Sequence, residues 1–130
     1  MIIVHVDGAT RGHPGPSGAG IFIKSGQQHY EISLPLGIMT NHEAEFHAMD
    51  HALDFCLEKF PDEILSFRSD AKVVVDAIEK GYTNHATFKP IFDRIQEKIT
   101  TFPLFFIKWV PSKDNRRADQ LAREAIHHHP

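Results

Sequence analysis

The chain begins with the run Met1-Ile2-Ile3-Val4-His5-Val6-Asp7, and Gly8 follows it. A nearly continuous apolar run of this length predicts a strand over Met1–Asp7 that is buried on both faces of a sheet. The segment Gly8–Gly20 is rich in glycine and proline and predicts a loop. The first strand therefore ends on a carboxylate, which loses its hydration when it is buried and needs a compensating partner.

Further strands extend this beginning into a sheet. Ala19–Lys24 and Gln28–Leu34 are predicted as a pair on either side of the hairpin signal Ser25-Gly26. Pro35 and Gly37 are expected to end the second strand of the pair. The later predicted strands are Ile64–Arg68 and Leu104–Val110.

Apolar residues at helical spacing predict four helices. Asn41 is expected to cap the first helix and Asp70 the second, which Gly81 ends. The resulting order is β-β-β-α-β-α-α-β-α, an antiparallel meander followed by alternating helices and strands, which indicates a mixed sheet with helical crossovers. The predicted helices are His42–Glu58, Asp70 to Gly81, Thr87–Thr100 and Asp114–His127.

Length and composition exclude several classes of protein. With 130 residues, of which 42% are hydrophobic and 24% charged, we expect one domain over residues 1–130 and exclude disorder, collagen and coiled coil. The formal net charge of −3 argues against holding nucleic acid by bulk charge alone. There is no apolar run of bilayer length, no basic leader, and one cysteine, Cys56. We expect a cytoplasmic protein without membrane association, ending in the solvated tail His127–Pro130.

Four acidic residues stand where burial is expected. Asp7 ends the first strand, and Asp70 directly follows a later one. Glu45 and Asp119 lie on the apolar stripes of the first and last predicted helices. If the four carboxylates meet at one edge of the sheet, they repel one another and acquire raised pKa values. A pair of divalent cations removes that penalty, and oxygen-only clusters suit Mg²⁺ or Mn²⁺ better than zinc.

Each acid also has an ordinary structural explanation. Asp70 alone could cap a helix, and Asp7 alone could cap a turn. Glu45 could be an early helix acid favoured by the helix dipole, and Asp119 could pair with an arginine of its own helix. Only the joint pattern of the four favours a metal site over these explanations.

Four segments follow one another along the chain: Val6-Asp7-Gly8-Ala9 with the glycine-rich stretch to Gly20, Thr40-Asn41-His42-Glu43-Ala44-Glu45, Ser69-Asp70-Ala71, and Asn115-Arg116-Arg117-Ala118-Asp119-Gln120-Leu121-Ala122. In this order and spacing they resemble the motifs of type 1 ribonuclease H. Each motif alone is weak, but together they cover essentially the whole chain, which makes the resemblance specific.

The resemblance implies a ribonuclease H-like α/β fold, with a five-stranded mixed sheet in the order 3-2-1-4-5 flanked by helices. It implies an endoribonuclease that hydrolyses the RNA strand of RNA–DNA hybrids with two Mg²⁺ ions, or Mn²⁺ as a substitute, leaving 5′-phosphate and 3′-hydroxyl ends. By motif position, the catalytic and metal-ligating residues would be Asp7, Glu45, Asp70 and Asp119.

The resemblance also implies contacts to the hybrid, on which we expect the protein to act as a monomer. A hybrid is told from DNA by its ribose 2′-hydroxyls, which are reached through the shallow minor groove. Thr40 and Asn84 match positions that hold a phosphate of the DNA strand in the family. The residues implied in substrate binding are Gly8, Gly12, His13, Thr40, Asn41 and Asn84.

Three departures from the family pattern leave a second hypothesis open. Val110–Asn115 has no histidine where many members carry one, Gly81–Pro90 is short with a single lysine, and His13 replaces the usual asparagine. The alternative is a weakly active or inactive ribonuclease H-like paralogue that binds nucleic acid. An unrelated α/β binding domain would have no reason to place four acids inward. The densest basic cluster, a backbone-binding surface or simply a solvated helix face, is Lys113, Arg116, Arg117 and Arg123.

Overall fold

The computed structural model describes residues 1–127, so residues 128–130 of the predicted tail lie outside the described part. Within it, no helix is long and apolar enough to cross a membrane. Residues 112–114 form a single 3₁₀ turn. The strands are β1 (Ile2–Thr10), β2 (Gly15–Ser25), β3 (Gln28–Met39), β4 (Leu65–Ser69) and β5 (Phe105–Trp109), and the helices are α1 (Asn41–Lys59), α2 (Lys72–Lys80), α3 (Lys89–Ile99) and α4 (Arg116–His127).

The strands form one mixed sheet in the order β3-β2-β1-β4-β5, which confirms the predicted topology. β1 pairs antiparallel with β2 and parallel with β4, and β5 pairs parallel with β4. The central strand β1 therefore lies where the sheet changes from antiparallel to parallel pairing. The parallel pairing of β1 with β4 ends at Val6 and Ser69, and β1 continues beyond it to Thr10.

Helices cover the two faces of the sheet unequally. α1 packs on β1 and β2 and also contacts α3. The side chains of Val4 and Val6 lie on this face, in a core that includes Phe46 and Leu53 of α1. α4 packs on the other face, over β2, β1 and β3. In the described residues, β4 and β5 have no comparable helix cover on the α4 face.

The prediction of a loop over Gly8–Gly20 is wrong. β1 continues to Thr10 and β2 begins at Gly15, so that residues 11–14 make the turn. A Cβ on Gly20 would overlap the carbonyl oxygen of Ala118 in α4. Glycine is needed here because it lets the helix backbone lie directly on the strand, and not because the chain bends.

The second predicted strand also runs further than expected. β3 continues through Pro35 and Gly37 to Met39. A register shift at Ser17 and Gly18 of β2 takes up the extra residue as a bulge. Because β3 is an edge strand and carries a bulge, it tolerates a proline that a central strand would exclude.

Two predicted helix caps are wrong, and one helix end is confirmed. Thr40, not Asn41, caps α1: its Oγ1 accepts from the Glu43 nitrogen at 3.3 Å, and its nitrogen donates to Glu43 Oε1 at 2.9 Å. This reciprocal pair is a capping box. Asp70 does not cap α2, whose N-cap is Ala71. Gly81 ends α2 in the left-handed conformation, as predicted.

Candidate active site

Two aspartates meet where the parallel pairing of β1 with β4 ends. Val6 pairs with Ser69 across these strands. Asp7 and Asp70 are the next residues along each chain, so the strand register places them side by side. Ligands of open α/β sheets commonly lie at such an edge, where the direction of the strands changes.

Glu45 reaches the same edge through a glycine contact. Gly8 is buried against α1, and a Cβ there would lie 2.7 Å from the backbone nitrogen of Glu45. The capping box at Thr40 starts α1 just before this contact. The first turns of α1 therefore lie directly over the end of β1, which brings the Glu45 carboxylate towards Asp7.

Asp119 comes from the opposite helix layer. Asp7 pairs with Gly20 of β2, and directly opposed residues share a face of the sheet. Gly20 lies against the backbone of Ala118 and Ala122 in α4. The close approach of α4 to β2 puts Asp119, between these two alanines in sequence, on the face towards which Asp7 points.

All four carboxylates line one cavity of about 400 Å³. The structure thus brings together the four acids that the sequence singled out, from β1, α1, the end of β4 and α4. The other residues lining this cavity are Gly8, Ala9, Thr10, Asn41, Arg123 and Ile126.

The electrostatics of this cavity centre on Asp7, which is only 7% exposed. Burial, and then the charges of Asp70 and Asp119, raise the pKa of Asp7 to about 9. Burial also raises the pKa of Glu45, against the opposing effect of His42. The cavity therefore holds more carboxylates than can ionise together without added positive charge.

Asp70 is held by groups from the segment before α4. Ser112 Oγ donates to Asp70 Oδ2 at 2.8 Å, and Asn115 Nδ2 lies 3.3 Å from Asp70 Oδ1. Trp109 Nε1 donates to the backbone oxygen of Asp70 at 3.2 Å. Asp70 therefore accepts hydrogen bonds from Trp109, Ser112 and Asn115. It does not cap α2.

Glu45 and Asp119 also have partners. Glu45 Oε1 accepts from Asn41 Nδ2 at 3.4 Å and lies 3.0 Å from His42 Nδ1. Arg123 Nε donates to Asp119 Oδ1 at 3.2 Å. Of the four carboxylates, only Asp7 has no cation or neutral donor among these contacts, and its side-chain neighbours are acids.

The donor set fits hard divalent cations, because four carboxylates supply oxygen ligands and excess negative charge. In residues 1–127, no three His, Cys, Asp or Glu side chains already converge as a coordination shell. The ligand chemistry and charge therefore fit such an ion, but Glu45, Asp70 and Asp119 would have to turn from their present partners to bind it together with Asp7.

Four of the predicted substrate-binding residues lie in or near the cavity. Gly8 and Asn41 line it. Gly12 and His13 are exposed in the turn between β1 and β2, beyond Thr10, which is itself a cavity residue. These positions surround the cavity on the side of β1 and α1.

The two predicted phosphate-binding residues, Thr40 and Asn84, do not line the carboxylate cavity. The Thr40 hydroxyl accepts a hydrogen bond from the Glu43 nitrogen in the α1 cap. Asn84 lies with Val73 and Tyr82 on a separate cavity of about 210 Å³, whose lining does not include the carboxylates. The structure does not bring Asn84 into the carboxylate cavity.

Sequence reasoning gave no role to Asn115, which is 1% exposed. Its Nδ2 donates to the Val6 carbonyl oxygen at 2.9 Å, and its Oδ1 lies 3.1 Å from His5 Nδ1. With its contact to Asp70, it ties the ends of β1 and β4 to the start of α4. The sequence signal, a polar residue directly before a helix, is equally typical of a cap.

Comparison with known proteins gives consistent results over the whole described chain. A family model described as RNase H matches residues 1–127. The chain is 39% identical to the putative hydrolase EbsB of Enterococcus faecalis, covering 97% of this chain and 94% of that protein. It is 34% identical to ribonuclease HI of Halobacterium salinarum, covering 94% of this chain and 62% of that protein.

Solved structures give the same result. RNase H1 of Halobacterium salinarum superposes with a TM-score of 0.90 at 31% identity, covering 98% of each chain. LC11-RNase H1, determined in complex with an RNA/DNA hybrid, also superposes with a TM-score of 0.90, at 30% identity and with 98% and 97% coverage. Both the sheet topology and the helix arrangement of this chain are therefore shared with those proteins.

Proposed function

The chain belongs to the ribonuclease H family of RNA–DNA hybrid nucleases, and we propose that it cleaves the RNA strand at the carboxylate cavity with two divalent cations. Mg²⁺ is the proposed ion, with Mn²⁺ as a substitute. The proposed products carry 5′-phosphate and 3′-hydroxyl ends. The residues proposed to act as catalytic metal ligands are Asp7, Glu45, Asp70 and Asp119.

The observation that carries this proposal is the meeting of four carboxylates in one cavity, with the pKa of Asp7 raised to about 9. Clustering of acids around a buried aspartate lowers the stability of a fold, since the charges repel. Such an arrangement is explained if an external cation completes it. Perturbed titratable groups in a cleft are also a general sign of a functional site.

We assign the residues in and near the carboxylate cavity to two roles, binding of the cations and binding of the substrate. Asp7, which lies beside both Asp70 and Asp119, would hold the ions together with these two aspartates and Glu45. Bound divalent cations supply an activated water and charge stabilisation of a leaving oxygen. Asn41 and the turn at Gly12 would hydrogen-bond ribose hydroxyls of the RNA strand.

The test is cleavage of a labelled RNA–DNA duplex in Mg²⁺ and in Mn²⁺, with Asp70→Asn beside the natural protein. Asparagine keeps the side-chain shape, so loss of RNA cleavage would follow from the lost charge. Asp62→Asn, an exposed acid in the turn before β4, is the matched control and should cleave normally. Cleavage that survives Asp70→Asn would contradict the proposed site.

The chemistry of the ends is tested on the same products. Fragments with a 5′-phosphate and a 3′-hydroxyl can be ligated directly, whereas fragments with a 3′-phosphate cannot until it is removed. Direct ligation is the expected result. Products that need removal of a 3′-phosphate would contradict the proposed two-ion displacement.

A second candidate is a paralogue that binds hybrids and cleaves them weakly. Two observations favour it: Asp119 is paired with Arg123, and no three acidic side chains in the described residues converge as a ready shell. The discriminating result is hybrid binding by a folded protein without RNA cleavage in either metal. That result would replace the first proposal with this one.

We also propose that the protein acts as a cytoplasmic monomer. Its single cysteine, Cys56, is buried, and burial raises the pKa of its thiol to about 12, so that it is unreactive. A protein of this kind needs no oxidising compartment. Sedimentation at working concentration tests the monomer, and a stable dimer would contradict it.

A further inference from the structure

The face of the sheet that carries α4 is only partly covered. Directly opposed residues share a face, and the strand register aligns Phe22, His5, Arg68 and Lys108 in one row across four strands. α4 covers β2, β1 and β3 nearer the carboxylate cavity. Lys108 is exposed, and in the neighbouring row Phe106 is 52% exposed. This uncovered surface is called the open face.

Cations without an acidic partner gather on the open face. The described residues, 1–127, include all fourteen Lys and Arg, and five of them form salt bridges. Three of the five lie on α3, and the other two lie on α4 and pair with acids of α4 and β3. A cavity between the sheet and the start of α4 is lined by His5 and four Lys or Arg residues, with Asp114 as its acid. The open-face cations without a salt bridge are Lys24, Arg68, Lys108, Lys113 and Arg116.

The charge of this surface is not neutralised from inside the protein. Arg68 Nε is buried and has no hydrogen-bond partner in the described residues. In a chain with a net charge of −3, this is a local concentration of unmatched positive charge.

Aromatic rings lie among these cations. Lys24 Nζ lies 5.6 Å from the centre of the Phe22 ring, and Phe22 contacts His29 at 5.5 Å between ring centres. Phe106 presents its ring to solvent on the same face. An open sheet that carries both cations and aromatic rings is the arrangement with which proteins hold single strands, the cations on phosphates and the rings on bases.

We propose that the open face binds single-stranded nucleic acid. Lys24, Lys108 and Arg116 would contact phosphates, and Phe106 would stack on a base. The surface adjoins the candidate active site, because Ser112, next to Lys113, donates to Asp70 at 2.8 Å. An unpaired strand that continues from a bound hybrid therefore reaches it without leaving the protein. The binding extends beyond the hydrolysis proposed above and does not require it.

The test is binding of labelled oligo(dT) and oligo(U) in chelator, measured by fluorescence anisotropy over a range of salt. Lys24→Gln and Lys108→Gln should each weaken binding several-fold and flatten the slope of log affinity on log salt by about 0.7. Lys59→Gln is the matched control, since Lys59 lies 5.9 Å from the Tyr30 ring and forms no salt bridge in the described residues. It should change neither quantity.

A second variant separates base stacking from charge. Phe106→Ala should weaken binding by roughly tenfold and leave the salt slope unchanged. Lys108→Arg should retain binding, which excludes a folding defect as the cause of the Lys108→Gln result. Oligo(dT) and oligo(U) that bind equally support recognition of phosphates and ring faces, and a strict preference for oligo(U) supports added contacts to the ribose.

Three results would overturn the proposal. The first is equal affinity and slope for Lys24→Gln, Lys108→Gln and Lys59→Gln. The second is full affinity in Phe106→Ala, which would reduce the surface to a general polyanion site. The third is loss of binding to anionic phospholipid vesicles, and not to oligonucleotides, in the lysine variants. Because no strand is cut in chelator, each result stands whether or not the nuclease proposal fails.

Discussion

Two buried aspartates of this fold, Asp7 and Asp50, have opposite surroundings. They are 7% and 5% exposed. Asp50 accepts from Lys98 Nζ at 2.7 Å and from Arg94 Nη2 at 3.3 Å, both on α3. Asp7 lies beside Asp70 and Asp119 instead, and its pKa is raised to about 9.

The difference separates a structural carboxylate from a functional one. The charge of Asp50 is balanced by cations of the same chain, and these ion pairs join α1 to α3. Asp50 therefore needs no cation from solution. Asp7 is left among like charges, which costs stability unless a cation enters. Burial alone therefore does not identify a metal site, but burial without an internal cation does favour one.

The largest expected effect is on catalysis. Asp7→Asn should lower RNA cleavage by about a thousandfold or more, equivalent to about 4 kcal/mol of activation free energy, because the proposed site loses the carboxylate charge at its centre. Asp50→Asn should cleave at close to the natural rate at a temperature where it is folded. Single-turnover cleavage of a labelled hybrid measures both. Equal losses of cleavage rate in Asp7→Asn and Asp50→Asn would contradict the assignment of Asp7 as functional and Asp50 as structural.

The next effect is on stability against pH in chelator. The folded pKa of Asp7, about 9, lies above the ordinary value of 3.8, so the folded protein keeps a proton that the unfolded chain releases. The stability that this bound proton gives the folded state is fully present at a pH below 3.8, and it is lost as the pH rises towards about 9. Over this pH range, the free energy of unfolding of the natural protein should fall by a few kcal/mol more than that of Asp7→Asn. Urea unfolding at several pH values measures both.

Divalent cation should act in the opposite direction on the same property. A bound ion stabilises the folded state and favours the ionised carboxylates, so the loss at high pH should shrink when Mg²⁺ is added. Asp7→Asn should show neither the loss nor its reversal. A natural protein whose stability is unaffected by pH in chelator would contradict the raised pKa.

A smaller effect is expected at the compensated aspartate. Asp50→Asn should lower the free energy of unfolding by about 2 kcal/mol, because two cations lose a buried partner while Arg94 is half exposed and can rehydrate. Asp54→Asn is the matched control, since Asp54 pairs with the same Lys98 but is 52% exposed. It should cost about 0.5 kcal/mol or less. Equal costs would mean that burial does not strengthen the Asp50 pair.

The sequence pattern was sufficient to predict that the four acids converge, whereas the strand order was predicted from the resemblance to ribonuclease H and is confirmed by the structure. In the sequence, Asp7 closes the first apolar run and Asp70 directly follows a later one. Glu45 lies on the apolar stripe of its predicted helix, and Asp119 lies at the edge of the stripe of the last helix. Helix and strand periods project such residues to a common edge once the topology is assumed. Whether these acids bind metal is not visible in the pattern and stays a prediction.

What the sequence could not supply are features set by contacts between distant segments. Gly18 belongs by composition to the predicted loop, yet it lies in β2 against the backbone of Ala122 in α4. Asn115 contacts Val6, 109 residues away, and Asp50 contacts Lys98, 48 residues away. No local period marks such partners, because they are chosen by the packing of α4 on the sheet and of α3 on α1.

The smallest effect is expected at Arg123, which holds Asp119 at 3.2 Å and is 71% exposed. Arg123→Ala should change the free energy of unfolding by about 0.5 kcal/mol or less, as for other exposed pairs. It should nevertheless raise the affinity for divalent cation several-fold, because the guanidinium both occupies Asp119 and repels a cation in the same cavity. Titration calorimetry compares it with Arg116→Ala, on the same helix but outside the cavity lining. Lower cation affinity in Arg123→Ala would show instead that Arg123 orients Asp119 for the ion and does not compete with it.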